Sequence, residues 1–174
     1  MTKCDIFRHL KVISCMSNGG IYMNNYEINE ETYAVLSYQL GKTKIIESEQ
    51  EYIIDQDAYK IMDESCKYYG SSYKGRIEAS KDLLECSYKL PIIIEESSAL
   101  IFFPIKSSLL QDCCWINVNS IKKIEKVGNK SNITFNNGKE LLLDISKLSL
   151  ENQIYRSTKL ESIIYKRIIA KKRD

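Results

Sequence analysis

The sequence predicts an α+β fold, mainly an antiparallel β-sheet with a central helix and a long C-terminal helix. Short runs rich in β-branched and aromatic residues recur between turn signals, a helical period interrupts them near the middle, and another fills the C-terminal segment. Strands that come in runs, with helices between the runs, lack the regular alternation of a doubly wound sheet.

Taken in order, residues 1–22 show no clear period and end in Ser17-Asn18-Gly19-Gly20-Ile21-Tyr22, just before Met23. Gly-Gly is encoded by GGN-GGN, so a GGAGG-like ribosome-binding sequence fits there, separated from the Met23 codon by only the codons of Ile21 and Tyr22. The expected native start is therefore Met23, with 1–22 a non-native or disordered extension and 23–174 the folded domain. Intact mass of the protein made from its own gene decides this.

Beyond Met23, Tyr26-Glu27-Ile28 and Tyr33-Ala34-Val35-Leu36 read as strands joined by a turn at Asn29, and Gly41 precedes a third, Lys44-Ile45-Ile46. From Asp55 to Tyr69 the period becomes helical: Ala58, Ile61, Met62, Cys66 and Tyr69 share a face, Asp55 or Asp57 can cap the first turn, and Gly70 can end it. A shorter helix is expected from about Lys74 to Leu84, although Gly75 lowers its propensity.

Pro91-Ile92-Ile93-Ile94 and Ala99-Leu100-Ile101-Phe102-Phe103 read as a buried hairpin around Glu96-Ser97-Ser98. Trp115-Ile116-Asn117-Val118 and Ile121-Lys122-Lys123-Ile124 add further strands. The run Ile133 to Leu143 holds Asn137-Gly138, which predicts a tight hairpin with the two positive φ angles of a type I′ turn. A final helix is expected from about Ser149 to Ile169, with Ile154, Leu160, Ile164 and Ile168 on the packed face and Asn152, Tyr155, Lys159 and Lys166 on the other.

A length of 174 residues suffices for one well-buried core, or two small ones sharing an interface, and the composition is that of a globular protein. No apolar run is long enough to cross a bilayer, and the N-terminus has charges (Asp5, Arg8) but no signal-peptide core, so a cytoplasmic location is expected. The six cysteines, Cys4, Cys15, Cys66, Cys86, Cys113 and Cys114, form no C-x-x-C pair, and His9 is the single histidine, which argues against zinc. Cys66 and Cys86 are expected to be small buried hydrophobes, and at most one of the neighbouring Cys113 and Cys114 to be exposed.

Catalysis finds little footing, because a nucleophile needs a positioned base and no P-loop or G-x-G-x-x-G is present. No enzyme, cofactor or metal is expected. The net charge of +2 conceals a polarity: acids dominate from Tyr26 to Ser65, whereas Arg156, Lys159, Lys166, Arg167, Lys171, Lys172 and Arg173 make the end basic. Such a chain suits a polyanion on one face and protein association on another.

Lys or Arg next to amides or hydroxyls occurs in Ser71-Ser72-Tyr73-Lys74-Gly75-Arg76, in Asn136-Asn137-Gly138-Lys139 and in Asn152-Gln153-Ile154-Tyr155-Arg156. These are the mixtures that phosphate contact and groove readout use. The first could equally be a helix-capping turn with Arg76 bridging an acid, and the second a common hairpin tip.

In their order, these segments resemble the ComK family of competence transcription factors. The resemblance runs from Tyr26-Glu27-Ile28 through Ser65-Cys66-Lys67-Tyr68-Tyr69-Gly70-Ser71-Ser72-Tyr73-Lys74-Gly75-Arg76, Leu90-Pro91-Ile92-Ile93, Ile101-Phe102-Phe103-Pro104, Ser107-Ser108 and Cys113-Cys114-Trp115-Ile116. It continues in Thr134-Phe135-Asn136-Asn137-Gly138-Lys139 and Glu151-Asn152-Gln153-Ile154-Tyr155-Arg156.

The resemblance implies an activator of DNA-uptake and recombination genes that binds paired A/T-rich boxes as dimers, through the minor groove, with RNA polymerase as a further partner to consider. On that reading Arg76 and Arg156 are candidates for groove or phosphate contacts, Asn152 and Gln153 for amide contacts, and Lys74, Lys139 and Lys159 for phosphates. Longer family members continue into a tail associated with adaptor-dependent proteolysis; this sequence stops at Asp174, so the resemblance does not carry that control over. The competing expectation is a protein-interaction module, or a degenerate member acting without DNA.

Overall fold

The computed structural model describes residues 21–23, 25–108 and 112–171. The extension expected over 1–22 lies almost wholly outside the described residues, with Cys4, His9 and Cys15, as do Lys172 and Arg173.

The fold is α+β, as the sequence predicts. Strands β1 (Ile21–Met23), β2 (Thr32–Gln39), β3 (Lys42–Glu47) and β4 (Glu51–Ile54) precede helices α1 (Ala58–Tyr68) and α2 (Tyr73–Leu84). Then come β5 (Ile92–Glu95), β6 (Leu100–Pro104), β7 (Cys114–Asn117) and a one-turn 3-10 helix (Val118–Ser120). The chain continues with β8 (Ile121–Val127), β9 (Lys130–Phe135), β10 (Glu140–Leu143) and α3 (Lys147–Lys171). One seven-stranded sheet has the order β1-β4-β3-β2-β7-β6-β5, and β8, β9 and β10 form a second sheet. Every pairing is antiparallel except β1 with β4.

Side chains alternate across a strand, so the large sheet divides its apolar residues between two cores. Val35 pairs with Ile45 and Trp115, and all three bury on the face covered by Ala58, Ile61, Met62 and Cys66 of α1. Their neighbours Ala34, Ile46 and Ile116 bury on the opposite face, against Ile133 and Phe135 of the small sheet and Leu150 and Leu160 of α3. Ile77 of α2 packs at the margin of both. Trp115 is buried, and its indole N–H donates to the Tyr73 hydroxyl at 3.1 Å, which satisfies the one polar group this side chain brings into the core.

Asp57 caps α1, accepting from the Tyr59 N–H at 2.9 Å. Ser72 caps α2 through the Gly75 N–H, and Ser146 caps α3 through the Ser149 N–H. Among the described residues no helix is long and apolar enough to cross a membrane.

The structure corrects the sequence reading at particular places. Tyr26-Glu27-Ile28 is irregular chain, not a strand, with Tyr26 and Ile28 buried, Glu27 exposed and side chains supplying its partners. The Ile28 N–H donates to Ser65 Oγ at 3.1 Å, and the Tyr26 hydroxyl joins Thr32 Oγ1 and Glu47 Oε1 at 2.6 and 2.5 Å. Strand β4 was not expected within the acidic segment; Glu51 is anchored there by Lys44 at 2.8 Å, and Ile54 is buried.

The Asn137-Gly138 turn is not type I′. Only Gly138 has positive φ (85°); its N–H donates to Phe135 O, while the Phe135 N–H donates to Lys139 O. That is a type I turn closed by a bulge with glycine at the left-handed position. Of the thiols, Cys66 and Cys113 are buried and pushed up to about 12 by desolvation, whereas Cys86 and Cys114 are half-buried.

Candidate nucleic-acid interface

The three basic segments take different places in the fold. In the first, Asp63 accepts the Tyr73 N–H at 2.9 Å and pairs with Lys67 at 2.6 Å, so the connection between α1 and α2 is fixed by hydrogen bonds. Arg76 then points inward. Its Nη2 donates to Tyr69 O at 3.2 Å and Ile94 O at 3.1 Å, and its Nη1 meets Glu96 Oε1 at 3.4 Å. Its Nε is buried without a partner, and the side chain keeps 17% of its exposure. Lys74, by contrast, is exposed and has no ion pair among the described residues.

The second segment is docked against the acidic strands. Asn137 donates to Ser48 O at 2.6 Å, Asn136 donates to Asn119 O at 2.9 Å, and Lys139 sits 3.9 Å from Glu51. The acidic stretch and this hairpin tip thus meet each other.

The third segment lies on α3. Its buried stripe is Leu150, Gln153, Ser157 and Leu160. Gln153 belongs to the packed face: its amide donates to Pro104 O at 2.7 Å and ties α3 to β6. The outward stripe is Asn152, Tyr155, Arg156 and Lys159, spaced i, i+3, i+4 and i+7 and so on one face of the helix. Arg156 Nη1 donates to Tyr88 O at 3.0 Å and approaches Gln153 Oε1 at 3.5 Å; both bonds leave from that one nitrogen, so Nη2 and Nε remain uncommitted.

Between this stripe and the end of α2 runs an open groove of about 320 Å³, lined by Leu84, Cys86, Asn152, Tyr155, Arg156 and Lys159. Its other wall is the loop from α2 to β5, in which Glu85 and Lys89 hold left-handed backbone (φ 54° and 50°), a conformation side chains disfavour and packing must maintain. Lys89 lies over the Tyr88 ring at 5.3 Å, and Tyr88 and Tyr155 are well exposed. An amide (Asn152), two cations (Arg156 and Lys159) and an exposed aromatic ring (Tyr155) line the groove together.

The structure therefore brings Asn152, Arg156 and Lys159 together and leaves Arg76, Lys74 and Lys139 elsewhere. Cys86, expected as a buried hydrophobe, instead lines the groove half-buried, and Tyr88, which the sequence did not single out, meets Arg156 through its carbonyl. Tyr88 and Arg156 are 68 residues apart, and no local pattern marks that contact.

A rigid helix with a cationic and amide-bearing stripe beside an aromatic rim defines a surface complementary to a polyanion. The chain matches the ComK protein family over residues 23–169 and belongs to that family. It is 35% identical over 150 residues to the competence transcription factor of Bacillus subtilis (strain 168), an overlap that covers 84% of this chain and 78% of that protein. No solved structure matches the chain.

Proposed function

We propose that this protein is a DNA-binding transcription activator of competence genes, not an enzyme, which binds A/T-rich promoter boxes through the minor groove. The observation that supports it most is the outward stripe of α3, where Asn152, Arg156 and Lys159 are held on a packed helix around an open groove. Phosphate contacts fix register, and amide or arginine contacts at base edges add selectivity. The minor groove of A·T tracts is narrow and strongly negative, which favours an arginine with uncommitted donors.

In this reading Arg156 enters the groove or grips its phosphates, Asn152 offers an amide, and Lys159 neutralises phosphate. Lys74 adds an exposed cation farther off, and Lys139 can exchange its long ion pair with Glu51 for a phosphate. Arg76 and Gln153 act as positioning residues, through the loop after α1 and through the seat of α3. Paired boxes call for two copies, and RNA polymerase is the partner an activator must engage. Work of this kind on promoters belongs to the cytoplasm, at the nucleoid.

Fluorescence anisotropy with A/T-box and G/C-rich duplexes across a salt series tests the proposal. The expected result is tighter binding to the A/T duplex and a linear fall of log K with log salt. Exchanging A·T for inosine·cytosine pairs, which keep the minor-groove acceptors but change the major groove, should preserve affinity. Equal affinity for both duplexes, or no binding, overturns the reading.

A further inference from the structure

The small sheet carries a second basic element that the segments above do not include. From Lys122 to Lys130 the chain holds Lys122, Lys123, Lys126 and Lys130 against the single acid Glu125, and all five of these side chains are exposed. Strand β8 is an edge strand, since β9 is its only neighbour in the order β10-β9-β8.

Its hairpin closes in two residues, with Val127 facing Lys130 across Gly128 and Asn129. Gly128 has φ 59° and Asn129 does not have positive φ, the pattern of a type II′ turn with glycine at its first central position. The tip is consequently narrow. All its residues are exposed, the Asn129 amide among them.

The charges are only partly neutralised. Lys123 pairs with Glu125 at 2.8 Å, and Lys130 stands 4.0 Å from Asp144, itself 78% exposed. Lys122 and Lys126 have no ion pair among the described residues. Lys122 is the extra residue of a bulge, where the register passes from Ile121–Phe135 to Lys123–Thr134. After the bulge Ile124 faces Ile133 on the core side, so alternation places Lys126, opposite Ser131, on that same side beyond the edge of the core. That side of the small sheet packs on α3, which contacts both β8 and β9. Ribbon and basic helix are held as one packed unit.

We propose that the β8–β9 hairpin is a second DNA-contacting element, a basic ribbon whose Lys122 and Lys126 neutralise backbone phosphates flanking the site read by α3. This rests on the DNA-binding reading above. Lysines on an edge strand can serve only to block strand pairing between molecules, and that alternative predicts a different readout.

The test is the Lys122→Ala/Lys126→Ala variant of the full chain, titrated with A/T-box duplex across the same salt series, with Lys122→Arg/Lys126→Arg as the charge-preserving control. Each lost phosphate contact should lower the slope of log K against log salt by about 0.9, so the alanine variant should lose about 1.8 and weaken equally on A/T-rich and G/C-rich duplexes. The arginine variant should keep the wild-type slope. An unchanged slope in an alanine variant with a wild-type melting curve overturns this inference and leaves the α3 reading intact. A gain of self-association with unchanged slope does the same, and assigns the lysines to edge protection. A wild-type protein that binds neither duplex overturns both.

Discussion

Arg76 and Arg156 occupy similar sequence surroundings, each next to amides or hydroxyls and an aromatic residue, yet the fold uses them in opposite ways. Arg76 lies between the loop after α1 and the β5–β6 turn, and its guanidinium joins Tyr69 O, Ile94 O and Glu96. Arg156 lies on α3, spends one nitrogen on Tyr88 O and Gln153, and lines an open groove with the rest. The difference comes from what each helix packs against. The first turn of α2 is wedged between α1 and β5, so a long cation there finds carbonyls. The middle of α3 packs through Gln153 and Ser157, so the neighbouring positions face outward.

The largest effect should come from Arg76→Ala. It removes donors from two carbonyls and leaves them with poorer partners; hydrogen bonds to a charged group contribute roughly 1.5–3 kcal/mol, so a loss of about 3 kcal/mol is expected. The Glu96 pair adds little to this, because Glu96 is half exposed and the pair is solvent-screened. Chemical denaturation checks it. If Arg76→Ala denatures at the wild-type midpoint but fails to bind DNA, the comparison breaks, and Arg76 belongs to the interface.

The division between the two arginines explains how far the sequence could be read. The helices and the β5–β6 hairpin were legible because apolar period is a local property: Ala58, Ile61, Met62 and Cys66 announce α1 by themselves, and all four are buried, whereas on α3 the expected face of Ile154, Leu160, Ile164 and Ile168 is fully buried only at Leu160. Tyr26-Glu27-Ile28 misled because strand propensity there is outweighed by bonds to Glu47 and Ser65, which no local window contains. The candidate site was legible in part. Asn152, Arg156 and Lys159 follow from helical spacing, but Gln153, one position away, turns into the core, and the sequence does not say which amide the carbonyl of Pro104 will take. The Tyr88 carbonyl was invisible as a partner of Arg156 for a related reason, since a loop has no period and this one turns through left-handed backbone at Glu85 and Lys89.

Arg156→Ala should reverse the pattern seen at Arg76. The side chain makes one good hydrogen bond, to a backbone carbonyl of an exposed loop, so stability should fall by about 1 kcal/mol or less. On the proposed reading, affinity for A/T-box duplex should fall about tenfold or more, with a loss of discrimination against G/C-rich DNA, since a groove-reading arginine contributes about 1–3 kcal/mol. Anisotropy and denaturation measured on the same preparation separate the two quantities. Stability and affinity lost together would make Arg156 a second Arg76.

The smallest effect sharpens the Arg76 side through pH. Partial burial works to raise the Glu95 carboxyl, but hydrogen bonds from the Ser97 and Ser98 hydroxyls and backbone N–H groups outweigh it and hold the group at about 2, against an ordinary 4.5. The folded state thus binds fewer protons than the unfolded chain between those values. Its contribution is fully present above pH 4.5 and is lost as pH falls toward about 2. The turn it organises carries Glu96, the carboxylate that meets Arg76. Glu95→Gln should therefore lower stability near neutral pH and flatten the acid side of the stability curve, so that wild type and variant converge near pH 2. DNA affinity at neutral pH should not change, because the groove on α3 does not depend on this turn. Stability curves that run parallel from pH 5 to 2, measured by urea denaturation, would show that Glu95 does not organise the turn on the Arg76 side.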